Sequence, residues 1–220
     1  MKHTSKHIAC LLALLLLCFP LAACRKNSKT VTQIAVIAKA VDSDFWHAVR
    51  SGVEAAATEY NVSVTFEGPE NEEDFEAQNR MIAEAVRKGA DVIVLSAIDY
   101  DKNAAAVNDA VRSGTRVIAI DSGVNSRQVS QFIGTDNREA GVAAARAAVD
   151  FTPADGAKIR IGLVNYMTDT ANGRRREEGF RAYVAGMANA EIVATVTAES
   201  NEESATACAE ELLRAHPEIN

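Results

Sequence analysis

Short apolar runs alternate with helix-like segments along nearly the whole chain. The runs are rich in β-branched residues and lie at 34–38, 62–66, 91–95, 116–120, 131–133, 159–164 and 192–196. Repeated βα units of this length form a parallel sheet covered by helices on both faces. The turn residues of 153–156 (P-A-D-G) divide the units into two series. The sequence therefore predicts an α/β protein with two lobes of similar design.

The first unit, at 34–46, carries the most information about a site. Its apolar strand is followed by the candidate helix N-caps of 42–44 and then by a helical pattern. Phe45 shares a helical stripe with two valines, which favours the core, whereas Trp46 is one position off that stripe. Lys39 lies at the exit of the strand. Because small ligands bind at the carboxyl ends of parallel strands, this unit is predicted to form half of a ligand cleft.

The amino-terminal segment has the pattern of a secretory signal. Lys2 and Lys6 precede an apolar run at 8–19, which is shorter than the roughly 20 residues that span a bilayer. The sequence L-A-A-C at 21–24 resembles the lipobox of bacterial lipoproteins, in which the cysteine becomes the lipidated first residue of the mature chain. Cys24 is therefore the predicted lipidation site.

These features predict two parts ahead of the first βα unit. A lipoprotein signal peptide occupies 1–23, and the lipidated cysteine and a polar tether occupy 24–30. The C-terminal lobe has two predicted strands and two predicted helices after 156, which is little for a core, and the sequence stops where a further strand would begin. We therefore expect a second lobe that is incomplete and a chain that is truncated at its C-terminus.

The charge balance is acidic. Residues 1–23 contain two lysines and no acidic residue, so the remainder has 21 basic and 30 acidic residues and a net charge of −9. An acidic chain argues against nucleic acid as a partner, since nucleic-acid binding requires a basic face. Cys208 is the one cysteine after Cys24. It cannot form an internal disulfide, and its place in an alanine-rich helix favours a buried structural thiol.

Enzyme signatures are missing from the sequence. It contains no G-x-G-x-x-G, no P-loop, no H-E-x-x-H and no G-x-S-x-G motif. After the signal segment the histidines are His47 and His216, too few for a catalytic triad or a metal site. The sequence predicts a binding protein without a catalytic residue, a metal or a cofactor.

Polar residues gather at several predicted strand ends. They are Lys39, Ser96 with Asp99, Asp121 with Ser122, 165–166 and the arginines of 174–176. An aromatic ring packs against the C–H face of a sugar, while carboxylates and guanidinium groups bind its hydroxyls, so this set suits a polyol. Simpler roles stay open: a solvated lysine at Lys39, a turn cap at Asp121, and a solvated helix face at 174–176.

Together these residues resemble a known family. From Ile34 to Asn220 the chain is similar to the type I periplasmic solute-binding proteins of the ribose-binding kind, which share their fold with the effector domains of LacI-type regulators. The matching marks are I-A-V-I followed by Phe45-Trp46, V-I-V-L-S-A, V-I-A-I-D-S, I-G-T-D-N at 133–137, R-x-x-x-E-G-F ending at Phe180 and E-L-L-x-A-H-P at 211–217. The resemblance implies a two-lobe periplasmic-binding-protein type I fold with a hinge near Thr135. It therefore implies an N-terminal lobe at 31–135 and a C-terminal lobe at 136–220.

The resemblance also implies a ligand site. Carried over by position, the family's ligand-binding residues fall at Lys39, Phe45, Trp46, Asp121, Ser122, Asn137 and Arg174. Ribose-binding members have a small polar residue where Lys39 stands and an arginine where Ser122 stands, so ribose itself is not the expected ligand. The family continues beyond residue 220 with further strands that supply additional polar ligands.

The implied function is solute capture outside the cytoplasm. A lipid-anchored binding protein would close its lobes on a sugar or sugar-like molecule and deliver it to the permease subunits of an ABC importer, held to the membrane through Cys24. The alternative is a ligand-sensing partner of a chemoreceptor or sensor kinase with the same fold. A LacI-type repressor would need a helix-turn-helix where the signal segment lies, and an α/β enzyme would need the missing motifs.

Overall fold

The computed structural model describes residues 31–151 and 157–220. The predicted signal peptide, Cys24, the tether and the turn at 153–156 lie outside the described residues. Residues 32–220 form one compact unit. Across the described part of the chain, no helix has the length and apolar character needed to cross a membrane.

The first lobe is built on five parallel strands, joined in spatial order β2-β1-β3-β4-β5. The strands are β1 (Gln33–Ile37), β2 (Ser63–Glu67), β3 (Val92–Leu95), β4 (Arg116–Ile120) and β5 (Gln131–Ile133). Helices α1 (Asp44–Tyr60), α2 (Phe75–Arg87) and α3 (Ala104–Arg112) connect the first four. Their facing apolar side chains form one core that includes Ile37, Ile93, Leu95, Val107 and Val117.

Local sequence signals explain where the helices begin and end. The side chain of Ser43 accepts a hydrogen bond from the backbone N–H of Trp46 and so caps α1. Helices α2 and α3 both end before a glycine with positive φ, at Gly89 (81°) and Gly114 (95°). Only glycine adopts this left-handed conformation without steric cost.

The second lobe contains two parallel strands within the described residues, β6 (Ile159–Tyr166) and β7 (Ala190–Ala198). Helices α4 (Asn137–Asp150), α5 (Ala171–Ala185) and α6 (Glu202–Ala215) accompany them. A separate core forms here from residues that include Ala145, Ile159, Phe180 and Val184. The predicted α/β architecture with two parallel-sheet lobes is confirmed, while the predicted boundary at 135/136 stays a prediction.

Helices α4 and α5 approach each other closely because each has a glycine at the contact. A Cβ atom on Gly141 of α4 would lie 2.0 Å from the carbonyl oxygen of Arg176, and one on Gly179 of α5 would lie 2.0 Å from that of Arg138. Neither oxygen can move without its helix, because both are backbone atoms. The close crossing of the two helices therefore requires glycine at both positions.

We expect Gly179→Ala to destabilise the protein by about 1–3 kcal/mol, because the added methyl group forces the two backbones apart. Gly52→Ala is the matched control, since a Cβ atom there meets nothing within 4 Å. That helical substitution should stabilise by about 0.5–1 kcal/mol. Urea unfolding measures both, and a Gly179→Ala variant as stable as the parent would contradict the close packing.

Candidate functional site

Lys39 lies directly after β1, near the middle of the first sheet, and it is almost fully buried at 3% exposure. Its ammonium nitrogen donates a hydrogen bond to the hydroxyl oxygen of Tyr166 at 2.9 Å. The same nitrogen lies 3.4 Å from a carboxylate oxygen of Glu72 and 3.7 Å from one of Asp121. A buried charge requires such partners. Lys39 is therefore not a solvated lysine at the end of a strand.

Glu72 lies in the loop between β2 and α2 and accepts hydrogen bonds from both lobes. One carboxylate oxygen accepts from the indole N–H of Trp46 at 3.0 Å, and the other accepts from the hydroxyl of Tyr166. Burial by itself raises the pKa of the Glu72 carboxyl. The charge of Lys39 and the donated hydrogen bonds outweigh this effect, so the pKa lies below its ordinary value.

Asp121 follows β4 and connects the same two lobes. One carboxylate oxygen accepts from the hydroxyl of Ser96 at 2.8 Å, and the other accepts from the side-chain amide of Asn172 at 3.0 Å. The backbone of Asp121 has a φ of 54°, a left-handed conformation that few residues other than glycine adopt. Aspartate tolerates it better than most, and such strain is found preferentially at functional sites.

Hydrogen bonds continue from Asn172 into the second lobe. The amide of Asn137 lies 3.5 Å from the side-chain oxygen of Asn172, and Arg176 donates to the side-chain oxygen of Asn137 at 2.7 Å. We refer to the connected set as the interlobe cluster, which comprises Lys39, Trp46, Glu72, Ser96, Asp121, Tyr166 and Asn172. It joins side chains from the carboxyl ends of β1, β3, β4 and β6 and from the start of α5.

The prediction for Phe45 and Trp46 was wrong in its assignment of the core residue. Trp46 is 1% exposed and Phe45 is 55% exposed. The buried stripe of α1 begins at Trp46 and continues at Val49, three positions later, because residues three or four apart share a helix face. The two rings still touch, edge to face, with centroids 4.9 Å apart. Phe45 is thus the exposed aromatic beside the buried end of the cluster.

The remaining predicted site residues, Ser122, Asn137 and Arg174, differ in burial and in their contacts. Ser122 is fully buried, and its hydroxyl has no hydrogen-bond partner within the described structure. Asn137 is buried and belongs to the chain of contacts from Asp121. Arg174 lies outside the interlobe cluster. Its guanidinium stacks over the ring of Tyr100 and lies 3.4 Å from Asp101, and its side chain is 41% exposed.

An open hollow of about 580 Å³ lies beside the interlobe cluster, along β4 and β5. Its walls include Tyr100, Phe132, Asn137, Asn172 and Arg175. It reaches the cluster at Asn172 but does not include Lys39, Trp46 or Glu72. We place the candidate site at the cluster, because buried polar groups converge there, whereas much of the hollow is the exposed edge of the short strand β5.

Sequence reasoning missed Glu72 and Asn172. Asn172 lies in the first turn of α5, at the end of the sheet where a site was expected, so its position was a usable signal. Glu72 belongs to the acidic loop sequence E-N-E-E-D at 70–74, which looks like a solvated turn. Within the described ranges, no group of three or more His, Cys, Asp or Glu side chains is placed to hold a metal ion.

The fold and the cluster define a class of protein. Two parallel-sheet lobes bring the carboxyl ends of their strands together, and polar side chains from both lobes meet in the contact. In parallel α/β sheets, the carboxyl ends of the strands are where small ligands bind. The chain therefore has the architecture of a two-lobed α/β protein with a candidate ligand site where its lobes meet.

The sequence places this chain in a specific family. The family model described as "Periplasmic binding protein domain" matches residues 34–220, and the chain belongs to that family. The chain is 24% identical over 212 residues to the D-ribose/D-allose-binding protein of Pseudomonas aeruginosa. That match covers 91% of this chain but only 64% of the relative's length.

Solved structures give the same picture. A sugar transporter from Clostridium phytofermentans matches with a TM-score of 0.78 at 31% identity. The match covers 86% of this chain and 69% of the transporter chain. An ABC transporter solute-binding protein from Agrobacterium vitis was solved with bound D-fucose and matches with a TM-score of 0.79 at 29% identity. The match covers 86% of this chain and 65% of the Agrobacterium chain. Each of these proteins is named as a binding protein or transporter, in agreement with the prediction of a protein that is not an enzyme.

The lowered pKa of Glu72 predicts a specific acid sensitivity. An ionised Glu72 stabilises the fold above its ordinary pKa of 4.5, and this contribution is lost as the pH falls from there through the lower folded value. We expect Glu72→Gln to be less stable than the parent at pH 7, with the difference narrowing below pH 4.5. Urea unfolding across this range measures it.

Glu54→Gln, at an exposed position on α1, is the control and should follow the parent at every pH. A stability difference between the parent and Glu72→Gln that stays constant down to pH 3 would contradict the assignment.

Proposed function

We propose that this protein is a lipid-anchored, extracytoplasmic solute-binding protein that captures a sugar or sugar-like molecule between its two lobes for delivery to an ABC importer. The observation that carries the proposal is the interlobe cluster, in which buried polar groups from both lobes meet at the carboxyl ends of the strands. A ligand favours the closed state only through contacts that it makes in both lobes. The cluster offers such contacts.

The chemistry of the cluster suits a neutral polyol. Sugar hydroxyls both donate and accept hydrogen bonds, so they can donate to the carboxylates of Glu72 and Asp121 and accept from Lys39. Ser122 adds a buried hydroxyl without a partner, and Phe45 adds an exposed ring for the C–H face of a sugar. We propose ligand contact for Lys39, Phe45, Trp46, Asp121, Ser122 and Asn137. We propose it also for Arg174, which lies outside the cluster but joins the two lobes through its ion pair with Asp101.

The similar proteins support a sugar as the ligand class. The Pseudomonas relative is named for D-ribose and D-allose, and the Agrobacterium vitis protein holds D-fucose. The export signal and the lipobox at 21–24 support a location outside the cytoplasm and a lipid anchor at Cys24. The ABC permease follows as the partner from the transporter names of the similar structures.

Thermal unfolding of the purified protein against a panel of monosaccharides, disaccharides and polyols tests the proposal. A solute that binds only the folded state raises the unfolding midpoint by mass action. We expect at least one neutral sugar to raise the midpoint in a concentration-dependent way. A cooperative transition that no sugar or polyol shifts would contradict sugar binding.

Replacing Asp121 with alanine should weaken binding of the sugar found in that screen by about 1–3 kcal/mol, roughly 5- to 150-fold in Kd. The reason is that a buried hydrogen-bonding partner of the ligand is lost. Arg174→Ala should act in the same direction, and titration calorimetry measures both. Asp109→Ala, on the exposed face of α3, is the matched control. Unchanged affinity in both site variants would refute the site assignment.

The lipid anchor has its own test. We expect the protein expressed in a bacterial host to be found in the membrane fraction and to incorporate labelled fatty acid, because the Cys24 thiol carries the lipid. Cys24→Ser should abolish the label, whereas Cys208→Ser should leave it in place. Labelling that survives in Cys24→Ser would contradict a lipid anchor on Cys24.

A further inference from the structure

Three hydrogen-bond donors converge on one carboxylate between the lobes. The indole N–H of Trp46 and the ammonium of Lys39 come from the first lobe, and the hydroxyl of Tyr166 comes from the second. Trp46 and Lys39 are 1% and 3% exposed, and Tyr166 is half-buried. The carboxylate that fills this place is Glu72, whose side chain is 14% exposed.

Such convergence is the chemistry of a carboxylate-binding site. A cation and two neutral donors around one carboxylate give strong, charge-assisted hydrogen bonds. Here the carboxylate belongs to the chain itself, on the loop that connects β2 to α2. That loop is held in its turn by Asn71, whose side-chain oxygen accepts from the backbone N–H groups of Glu73 and Asp74 at 3.1 and 3.2 Å.

We infer that Glu72 is a built-in carboxylate ligand of the cleft, which joins the two lobes through Tyr166 and makes the cleft select against acidic solutes. The joining role rests on the contacts alone. The selectivity rests on the proposed function, because it concerns the solute that the cleft binds.

The selectivity follows from occupancy and charge. An acidic solute has to displace Glu72 from its three donors or stay near two carboxylates, Glu72 and Asp121, with one ammonium between them. A carboxylate on a short loop has an effective concentration of about millimolar or more, so displacement is costly. A neutral sugar meets no such barrier, because its hydroxyls can donate to Glu72 in place.

The neighbouring Glu73 provides an internal contrast. It is largely exposed, and its partial loss of solvent, followed by the charges of Glu199 and Glu72, raises the pKa of its carboxyl. Its side chain therefore meets repulsion rather than donors across the lobes. Glu73→Ala is the matched control for Glu72→Ala, because it removes an adjacent carboxylate of the same loop.

The chain contains a convenient pair of reporters. Trp46 is the single tryptophan and lies in the first lobe. Cys208 lies on α6 in the second lobe and is half-exposed, not the buried thiol that the sequence favoured. In the full-length protein with Cys10, Cys18 and Cys24 replaced by serine, Cys208 is the cysteine available for a fluorescent acceptor. Energy transfer from Trp46 to that acceptor measures lobe separation, and the emission wavelength of Trp46 measures its exposure.

We expect Glu72→Ala to reduce energy transfer and to shift Trp46 emission to longer wavelength, because the lobes lose their shared carboxylate. Tyr166→Phe should reduce energy transfer with a smaller emission shift, because the bond between Trp46 and Glu72 remains. Glu73→Ala should match the parent or increase transfer. Parent-like transfer in both Glu72→Ala and Tyr166→Phe would overturn the joining role.

Formate then tests whether the space among Lys39, Trp46 and Tyr166 binds a carboxylate. Titrated through and above the millimolar range, formate should restore energy transfer in Glu72→Ala in a saturable way and leave energy transfer in the parent unchanged. Formamide and sodium chloride are the controls for size and ionic strength. A folded Glu72→Ala variant that ignores formate would overturn the inference. Should that variant fail to fold by circular dichroism, Glu72→Gln replaces the formate titration, because it fills the same space with a neutral amide. We then expect reduced energy transfer, and parent-like transfer in Glu72→Gln would overturn the need for a carboxylate.

Selectivity is measured with matched pairs of solutes, D-glucose with D-glucuronate and D-galactose with D-galacturonate. We expect the parent's unfolding midpoint to rise more with the neutral member, and Glu72→Ala to gain in its response to the acid. A parent that binds the acid as well as the neutral sugar would overturn the selectivity. Failure of every sugar would overturn the proposed function and the selectivity with it, while energy transfer and formate still decide the joining role.

Discussion

The buried ammonium of Lys39 is the constraint on which the site depends. A charge at 3% exposure, just after an inner strand of the sheet, cannot be left without compensation. Glu72, Asp121 and Tyr166 supply that compensation, and each is held in turn by a further partner. Removing one member leaves another buried polar group unpaired, which makes the cluster interdependent. Its geometry is therefore fixed by charge balance as well as by packing.

The sheet order explains why residues so far apart in sequence meet at this lysine. In the order β2-β1-β3-β4-β5, the first strand lies inside the sheet between β2 and β3, and all the carboxyl ends lie at one edge. The residues that follow β1, β3 and β4, together with the loop after β2, are thereby brought to Lys39. The second lobe repeats the design, since Tyr166 ends β6 and Asn172 begins α5. Two lobes of the same construction thus present the same kind of edge to each other.

This shared construction is also what made the fold predictable from sequence. Periodic apolar runs and glycine stops indicate βα units because they depend on neighbours along the chain, and residues at strand ends follow directly from them. Phe45 and Trp46 were harder, because spacings of three and of four both fit one helix face. Glu72 could not be distinguished within an acidic loop, since only its partners across the lobes separate it from Glu73. Residues defined by tertiary charge pairing leave no local pattern.

The contrast between those two glutamates bears on what holds the lobes together. Glu72 attracts the second lobe through Tyr166, while the adjacent Glu73 faces the like charge of Glu199. The attraction is a direct, part-buried hydrogen bond, whereas the repulsion acts between exposed carboxylates that solvent and salt screen, so the attraction dominates this contact. Under the proposed function, a ligand shifts the equilibrium between separated and joined lobes only by its differential affinity for the two forms. The contacts of Glu72 therefore set how much of that differential affinity the ligand itself has to supply.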